Sequence, residues 1–221
     1  MNIFDVVTEY PIAFDSPDHL QPHGTVNDNH TNETWVENVL KIFKNKENIK
    51  VMDLGCAGGK LVKSWLNYTD YAIGLEGSNF SQYHRRHEWP QLDEKNLFTC
   101  DVSRAFKVLC NDEPFLCDII SAWEVFEHIH PDRLKIFLTN IYYHLDRNGL
   151  FMGSIHTRSD IPSGRSHIYE TVLDMHQTIM TKEEWYSTIN ETNLFFIEEY
   201  DNNIGIVRED ANSFPLKMRK K

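Results

Sequence analysis

The stretch Val51-Met52-Asp53-Leu54-Gly55-Cys56-Ala57-Gly58-Gly59-Lys60-Leu61 decides the fold. An apolar run closes on an acid, three glycines and an alanine fall within positions 55–59, and a helical pattern begins at Lys60. Glycines between a strand and a helix let the backbone pass close to a ligand, and the first helical turn offers N–H groups with no partner inside the helix. A tight turn without a ligand would not need so many small residues. The dinucleotide spacing G-x-G-x-x-G is not met, because Lys60 takes the third place in Gly55-x-Ala57-x-x-Lys60. Asp53, just ahead of the turn, would repel a pyrophosphate and attract a cationic amino group. The segment reads as a strand, turn and helix that hold a small ligand other than a dinucleotide.

Outward from this turn, strands and helices alternate. Trp35, Val39, Leu40 and Phe43 keep helical spacing, with Thr31 or Asn32 as the N-cap. The pattern predicts strands over 49–54, 71–75, 96–100, 115–122 and 149–155, with helices over 60–66, 80–87 and 131–145. Near-continuous apolar strands alternating with helices indicate a parallel sheet covered on both faces. A polar stretch, 157–180, is followed by a helix over 181–190 and two strand-like runs, 194–200 and 204–207, expected to close the sheet edge as an antiparallel hairpin. The expected fold is α/β, a doubly wound, mostly parallel seven-stranded sheet of Rossmann-like type. One domain spans 1–221: an N-terminal arm or lid (1–30), a cofactor-binding core (31–155), a substrate loop (156–180) and a C-terminal helix with strands (181–221).

Twenty-two Lys and Arg against 33 Asp and Glu leave a net charge of −11, which argues against gripping nucleic acid through a broad basic face. The basic residues Lys217, Arg219, Lys220 and Lys221 read as a solvated end. No run of about 18 apolar residues occurs, so no membrane span is expected. Met1 to Asp18 carries acids and prolines where a secretory signal would need a basic start and an apolar run. Cys56, Cys100, Cys110 and Cys117 form no CxxC pair and read as reduced, buried thiols, so the expected location is cytoplasmic.

The glycine turn resembles motif I of the class I S-adenosylmethionine (SAM) methyltransferases, an acid followed by G-x-G-x-G. It stands here as Asp53, Gly55, Ala57 and Gly59, with alanine replacing one glycine. Four further segments resemble that family's motifs in order. Ala72-Ile73-Gly74-Leu75-Glu76-Gly77-Ser78 closes the second strand on an acid whose two oxygens suit a ribose diol. Leu97-Phe98-Thr99-Cys100-Asp101-Val102 closes the third on the acid that matches the family's adenine-amino contact. Cys117-Asp118-Ile119-Ile120-Ser121-Ala122-Trp123-Glu124 looks like the fourth-strand motif, and His144-Leu145-Asp146-Arg147-Asn148-Gly149-Leu150-Phe151 like the loop before the fifth. The resemblance implies SAM as cofactor, held by Asp53, Gly55, Ala57, Gly59, Glu76, Gly77, Asp101, Val102 and Trp123. In such sheets ligands lie beyond the carboxyl ends of the strands.

Glu124-Val125-Phe126-Glu127-His128 follows the fourth strand. On a helix, offsets of three and four would put Glu124, Glu127 and His128 on one face, a workable ligand set, although two glutamates also suit a helix start. The E-x-x-E-H element with a later histidine is similar to that of ubiquinone-pathway O-methyltransferases and small-RNA 2′-O-methyltransferases, where four such residues hold a divalent cation beside the methyl donor. That resemblance implies Glu124, Glu127, His128 and His176 as metal ligands, His176 standing five residues before a helix-capping Thr181. Carboxylate and imidazole together admit Mg²⁺, Mn²⁺, Zn²⁺ and Fe²⁺, with Mg²⁺ or Mn²⁺ expected first. Coordination would lower the pKa of an alcohol and fix its oxygen in line with the S–CH₃ bond. Glu124, His128 and His156 are the catalytic candidates, His156 as the base, ahead of His130 and His167.

Asp28, Asn29 and Trp35 are candidates to touch the methionine end or the acceptor. Arg158, Asp160, Arg165, His167 and Tyr169 lie in a connection long enough for a substrate loop, and their polarity favours a hydroxylated acceptor over a greasy quinone precursor. Ser16-Pro17-Asp18-His19, taken with Trp123-Glu124-Val125-Phe126-Glu127-His128-Ile129, resembles methyltransferase domains found alone or beside glycosyltransferases, including the rhamnose-methylating domain of chlorovirus glycan-building proteins. The expected activity is metal-assisted, SAM-dependent O-methylation of a small-molecule or glycan hydroxyl, on a sugar such as rhamnose, and the chain is a candidate domain of a larger glycosyltransferase polypeptide. RNA ribose 2′-O-methylation shares the metal element but wants a basic groove. A non-catalytic SAM-binding scaffold would keep the acids at 53, 76 and 101 with no need of the metal ligands.

Overall fold

The computed structural model describes residues 2–22, 28–159, 174–207 and 212–221. Among these residues the strands, in chain order, are β1 (Phe4–Thr8), β2 (Val51–Leu54), β3 (Ala72–Glu76), β4 (Leu97–Thr99), β5 (Phe106–Cys110), β6 (Glu113–Pro114), β7 (Cys117–Trp123), β8 (Leu145–His156), β9 (Phe195–Glu198) and β10 (Ser213–Lys220). Seven of them form one sheet in the order β4-β3-β2-β7-β8-β10-β9. The first five are parallel, and β10 runs antiparallel to both its neighbours. The order reverses at β2, which lies between β3 and β7, and a crevice opens beyond the strand ends at such a switch point.

Adjacent residues along each strand face opposite sides, so each run feeds two cores. Val51, Ala72, Ile119 and Met152 join Trp35, Val36, Val39, Leu61 and Trp65 from helices Glu33–Ile42 and Lys60–Trp65. Met52, Ile73, Ile120 and Phe151 join Phe137, Ile141, Trp185 and Ile189 from helices Leu134–His144 and Lys182–Glu191. Phe126 knits the second core, meeting Phe137 at 4.9 Å and Trp185 at 5.9 Å, both edge-on. Thr181 starts the last helix with a capping box: its Oγ1 accepts from the Glu184 N–H, and the Glu184 carboxylate accepts from the Thr181 N–H.

Several expectations differ from what the chain adopts. The helix over 80–87 breaks into Phe80–Tyr83 and Trp89–Leu92, because Arg85 and His87 between them hold positive φ. The arm contains β1, which pairs with β5 in a separate three-stranded sheet, β1-β5-β6. His144 ties that sheet to helix Leu134–His144. Its Nδ1 donates to the Asn140 carbonyl (2.8 Å), its Nε2 accepts from the Val108 N–H (3.1 Å), and burial keeps its pKa below the ordinary value. Finally, residues 204–207 form no strand. Asn202–Ile204 is a single 3₁₀ turn, and the last strand is β10.

β10 sits inside the sheet, between β8 and β9. Phe214, Leu216 and Met218 point inward, while Lys217 and Arg219 pair with Glu198 at 2.9 and 2.7 Å. These basic residues are therefore part of a strand and not a solvated end. Pro215 inside the run and the basic residues crowding its end obscure the alternation. All four cysteines are free and buried, and no helix among the described residues is long and apolar enough to cross a membrane.

Leu216 is fully buried, so Leu216→Ala is expected to cost about 2–5 kcal/mol in urea unfolding. A loss below about 1 kcal/mol would show that β10 is not integral to the sheet.

Candidate active site at the carboxyl ends of the strands

The turn after β2 takes three left-handed residues, Gly55 (φ 72°), Ala57 (φ 45°) and Gly59 (φ 87°). The Glu76 carboxylate clasps this turn, accepting from the Ala57 N–H at 2.7 Å and from the Ser78 N–H at 3.0 Å. Asp53 accepts from the Ser121 hydroxyl on β7 at 2.6 Å. Both acids are buried. Burial pushes each pKa up to about 7, against the smaller downward pull of their hydrogen bonds, and the charge of Glu76 raises Asp53 further. Two crowded carboxyls in one crevice are a place for a ligand bearing a cation and hydroxyl groups.

The N-terminal segments fold over this crevice. The Asp101 N–H donates to the Tyr10 carbonyl, and the Ala13 N–H to the Gly77 carbonyl, each at 2.9 Å. The Gly58 N–H donates to the Asp28 carbonyl (3.1 Å), and the Lys60 N–H to Asn29 Oδ1 (3.0 Å). A Cβ on Gly58 would stand 2.4 Å from Asn29 Oδ1, so only glycine admits that contact. Arg133 grips Asp15 with both terminal nitrogens and holds its carboxyl below the ordinary range. Asp101 accepts from the Ser103 N–H (3.0 Å) and lies beside buried Val102. Trp123, ending β7, packs edge-on against Trp35 at 5.3 Å. The sequence-derived cofactor residues thus all collect at one end of the sheet.

Beyond β7 the chain does not enter an α-helix. Glu124 takes a left-handed conformation (φ 56°), and Phe126–His128 is one 3₁₀ turn. The three-and-four spacing rule therefore does not place these side chains. Glu124 accepts from the Ser154 hydroxyl (2.5 Å) and the Ser213 hydroxyl (2.8 Å). One ligand atom each from Glu127, His128 and His176 falls within 4.8 Å of the others, a group that could hold a metal ion and that leaves Glu124 outside. Glu127 is fully buried; the backbone amides of Glu127 and His156 approach its carboxyl, but neither oxygen receives a hydrogen bond of normal geometry among the described residues. Burial, with a further push from Glu124, drives its pKa up to about 8 despite the nearby His128.

The imidazoles are oriented from behind. His176 Nδ1 donates to the Arg158 carbonyl at 2.5 Å, while the Asp174 carboxylate holds the backbone, accepting from the His176 main-chain N–H at 3.0 Å. His128 Nδ1 lies 2.6 Å from an Asp18 oxygen, on the short helix Pro17–Leu20. Asp18 and Asp174 are functional candidates that sequence reasoning left without a role. The proline ahead of Asp18 marks a helix start, and Asp174 stands two residues before His176, but neither spacing names a partner. The His156 ring centre lies 4.7 Å from that of His176. His130 is exposed and accepts from the Asp132 N–H. Asp160, Arg165, His167 and Tyr169 lie outside the described residues.

A doubly wound sheet with acids at consecutive strand ends and a glycine turn at the switch point defines a nucleoside-binding α/β protein. A family model described as a methyltransferase domain matches residues 28–199, and the chain belongs to that family. No curated protein matches it significantly in sequence. Among solved structures, the TehB-like SAM-dependent methyltransferase from Corynebacterium glutamicum is similar, with TM-score 0.56 and 13% identity over 95% of this chain and 98% of that one. A SAM-dependent methyltransferase from Clostridium acetobutylicum gives TM-score 0.56 and 14% identity, over 92% and 95% of the two chains. The glycopeptide N-methyltransferase MtfA in complex with S-adenosyl-L-homocysteine gives 0.52 and 12%, over 85% and 87%. The protein is a methyltransferase of the SAM-dependent fold.

Raised carboxyl pKa values fix a pH dependence. Between about pH 4 and 7 the folded chain keeps protons on Asp53 and Glu76 that the unfolded chain has released. Stability therefore falls as pH rises across that window, by up to about 1.4 kcal/mol per unit for each group. Replacing both, Asp53→Asn with Glu76→Gln, is expected to flatten this slope relative to the unsubstituted protein in thermal melts. An unchanged slope would mean that these carboxyls are ionised in the fold without a ligand.

Proposed function

We propose that the chain transfers the methyl group of SAM to a hydroxyl of a sugar or glycan, rhamnose among them, with a divalent ion held by Glu127, His128 and His176. The observation that carries this reading is the fully buried Glu127 carboxyl, with no hydrogen bond of normal geometry among the described residues and grouped with two imidazoles. The donor set fits a dication. It brings two imidazoles and one carboxylate together, with one ligand atom from each within 4.8 Å of the other two. Mixed oxygen and nitrogen ligands suit Mn²⁺ or Mg²⁺. Asp18 behind His128 and the Arg158 carbonyl behind His176 are the outer partners that orient such ligands.

A bound dication supplies Lewis acidity that brings a sugar hydroxyl, with a pKa far above 7, into reach as a nucleophile. This need favours oxygen over nitrogen as the acceptor, since an amine is nucleophilic once it has lost a proton. Asp53 receives the cofactor's ammonium group, Glu76 its ribose hydroxyls and Asp101 its adenine amino group. Gly55, Ala57, Gly59, Gly77, Val102 and Trp123 shape the walls around it. The segments at Ala13–Asp18 and Asp28–Asn29 close over the crevice and exclude water. His156 takes the proton of the attacking hydroxyl. Glu124, engaged by two serine hydroxyls, is assigned to the acceptor side.

Labelled-methyl transfer from SAM, with Mn²⁺ or with EDTA, tests the reading on rhamnosyl glycosides, a catechol and a short RNA with a free 3′-terminal diol. Label is expected on a glycoside and lost in EDTA. Glu127→Gln is expected to lower kcat at least about 100-fold and to leave the SAM dissociation constant within about twofold. Labelling that survives EDTA would overturn the metal assignment, and labelling of the RNA or catechol alone would overturn the sugar. Asp18→Asn is expected to weaken Mn²⁺ binding about 10- to 100-fold in a direct Mn²⁺ titration.

A further inference from the structure

A groove of about 450 Å³ opens beside the candidate centre, lined by Thr157, Arg158, Thr181, Lys182, Asn212, Ser213 and Phe214. Its walls are tied to that centre. The Ser213 hydroxyl donates to Glu124 (2.8 Å), Ser213 pairs with His156 across β10 and β8, and the Arg158 carbonyl takes the His176 Nδ1–H.

The lining is unlike the rest of the chain. Against a net charge of −11, the described residues that line the groove include two cations and no acid, with Glu124 and Glu184 standing behind its Ser213 and Thr181 hydroxyls. Among the described residues neither Arg158 nor Lys182 lies within ion-pair distance of an acid, unlike Lys217 and Arg219 on the neighbouring strand, which share Glu198. The Lys182 ammonium lies 5.4 Å from the Tyr186 ring centre and 5.7 Å from that of Phe214, so two aromatic faces hold it at the groove. The hydroxyls of Thr157, Thr181 and Ser213 are engaged by Asn212, Glu184 and Glu124 and keep only lone pairs for a ligand, and Phe214 adds an apolar wall. Two cations of this kind select an anion, and the polar wall selects a hydroxylated body.

We propose that this groove seats the acceptor and that Lys182 and Arg158 recognise an anionic group on it, the carboxylate of a sugar acid or the phosphate of a sugar phosphate. The inference deepens the sugar O-methylation reading and rests on it for the acceptor's role, but its test needs neither turnover nor a metal. Direct titration of the full chain uses methyl glucuronoside and glucose 1-phosphate as the two anionic probes and methyl glucoside as the neutral one. At least one anionic probe is expected to bind about tenfold tighter than the neutral one and to weaken as salt is raised. The preferred arm tells carboxylate from phosphate. Lys182→Met, which keeps the stem against both rings, is expected to weaken that probe about tenfold with the neutral probe and SAM unchanged, and Lys182→Arg to restore it. Equal binding of all three probes would overturn the proposal, as would anionic binding that Lys182→Met and Arg158→Met leave unaltered. Methyl transfer to a neutral glycoside with no anionic preference would overturn this inference and leave the sugar reading standing. Anionic binding without transfer to any glycoside would do the reverse.

Discussion

Burying carboxyl groups at the ends of parallel strands is the constraint on which the rest of this structure depends. A carboxyl removed from water without a cation is held near its neutral form, and Asp53, Glu76 and Glu127 are all in that position. The chain meets the cost with local donors where it has them. Ser121 serves Asp53, while the Ala57 and Ser78 amides serve Glu76. Because the Ala57 amide comes from the glycine turn, the Glu76 bond also sets the turn's shape. Glu127 has only the poorly aligned backbone amides of Glu127 and His156, and it is the acid that the two histidines approach.

The N-terminal segments belong to this economy of charge. Asp15 meets Arg133, Asp18 meets His128, and Asp28 and Asn29 meet the amides after the glycine turn. Each contact joins a residue near the chain start to one end of a strand or helix far along the sequence. β1 anchors the segment from behind by pairing with β5. The arm is thus held at both of its ends, and it covers the crevice between them.

The legible parts of the sequence were those governed by local rules. The apolar runs that became β2, β3, β4, β7 and β8, the glycine turn and the Thr181 cap each follow from neighbouring residues. Less legible were elements whose signal is shared with a distant partner. β1 is short and half-polar, and β10 carries a proline at 215 and a cluster of basic residues at its end, so each becomes a strand only through the partners it meets. The stretch around Glu124 shows a third limit. A spacing argument presupposes a helix, and the left-handed Glu124 that precedes a single 3₁₀ turn removed it.

By itself the sequence determined the α/β class, the order of the parallel strands' motifs and the acids at their ends, because periodicity and turn chemistry act over a few residues. Only the tertiary structure decided which acids meet. It grouped Glu127 with His128 and His176, turned Glu124 toward Ser154 and Ser213, and set Asp18 behind His128. The physical reason is distance along the chain: residues dozens of positions apart come within hydrogen-bond reach only where the packing of sheet, arm and loops brings their backbones together.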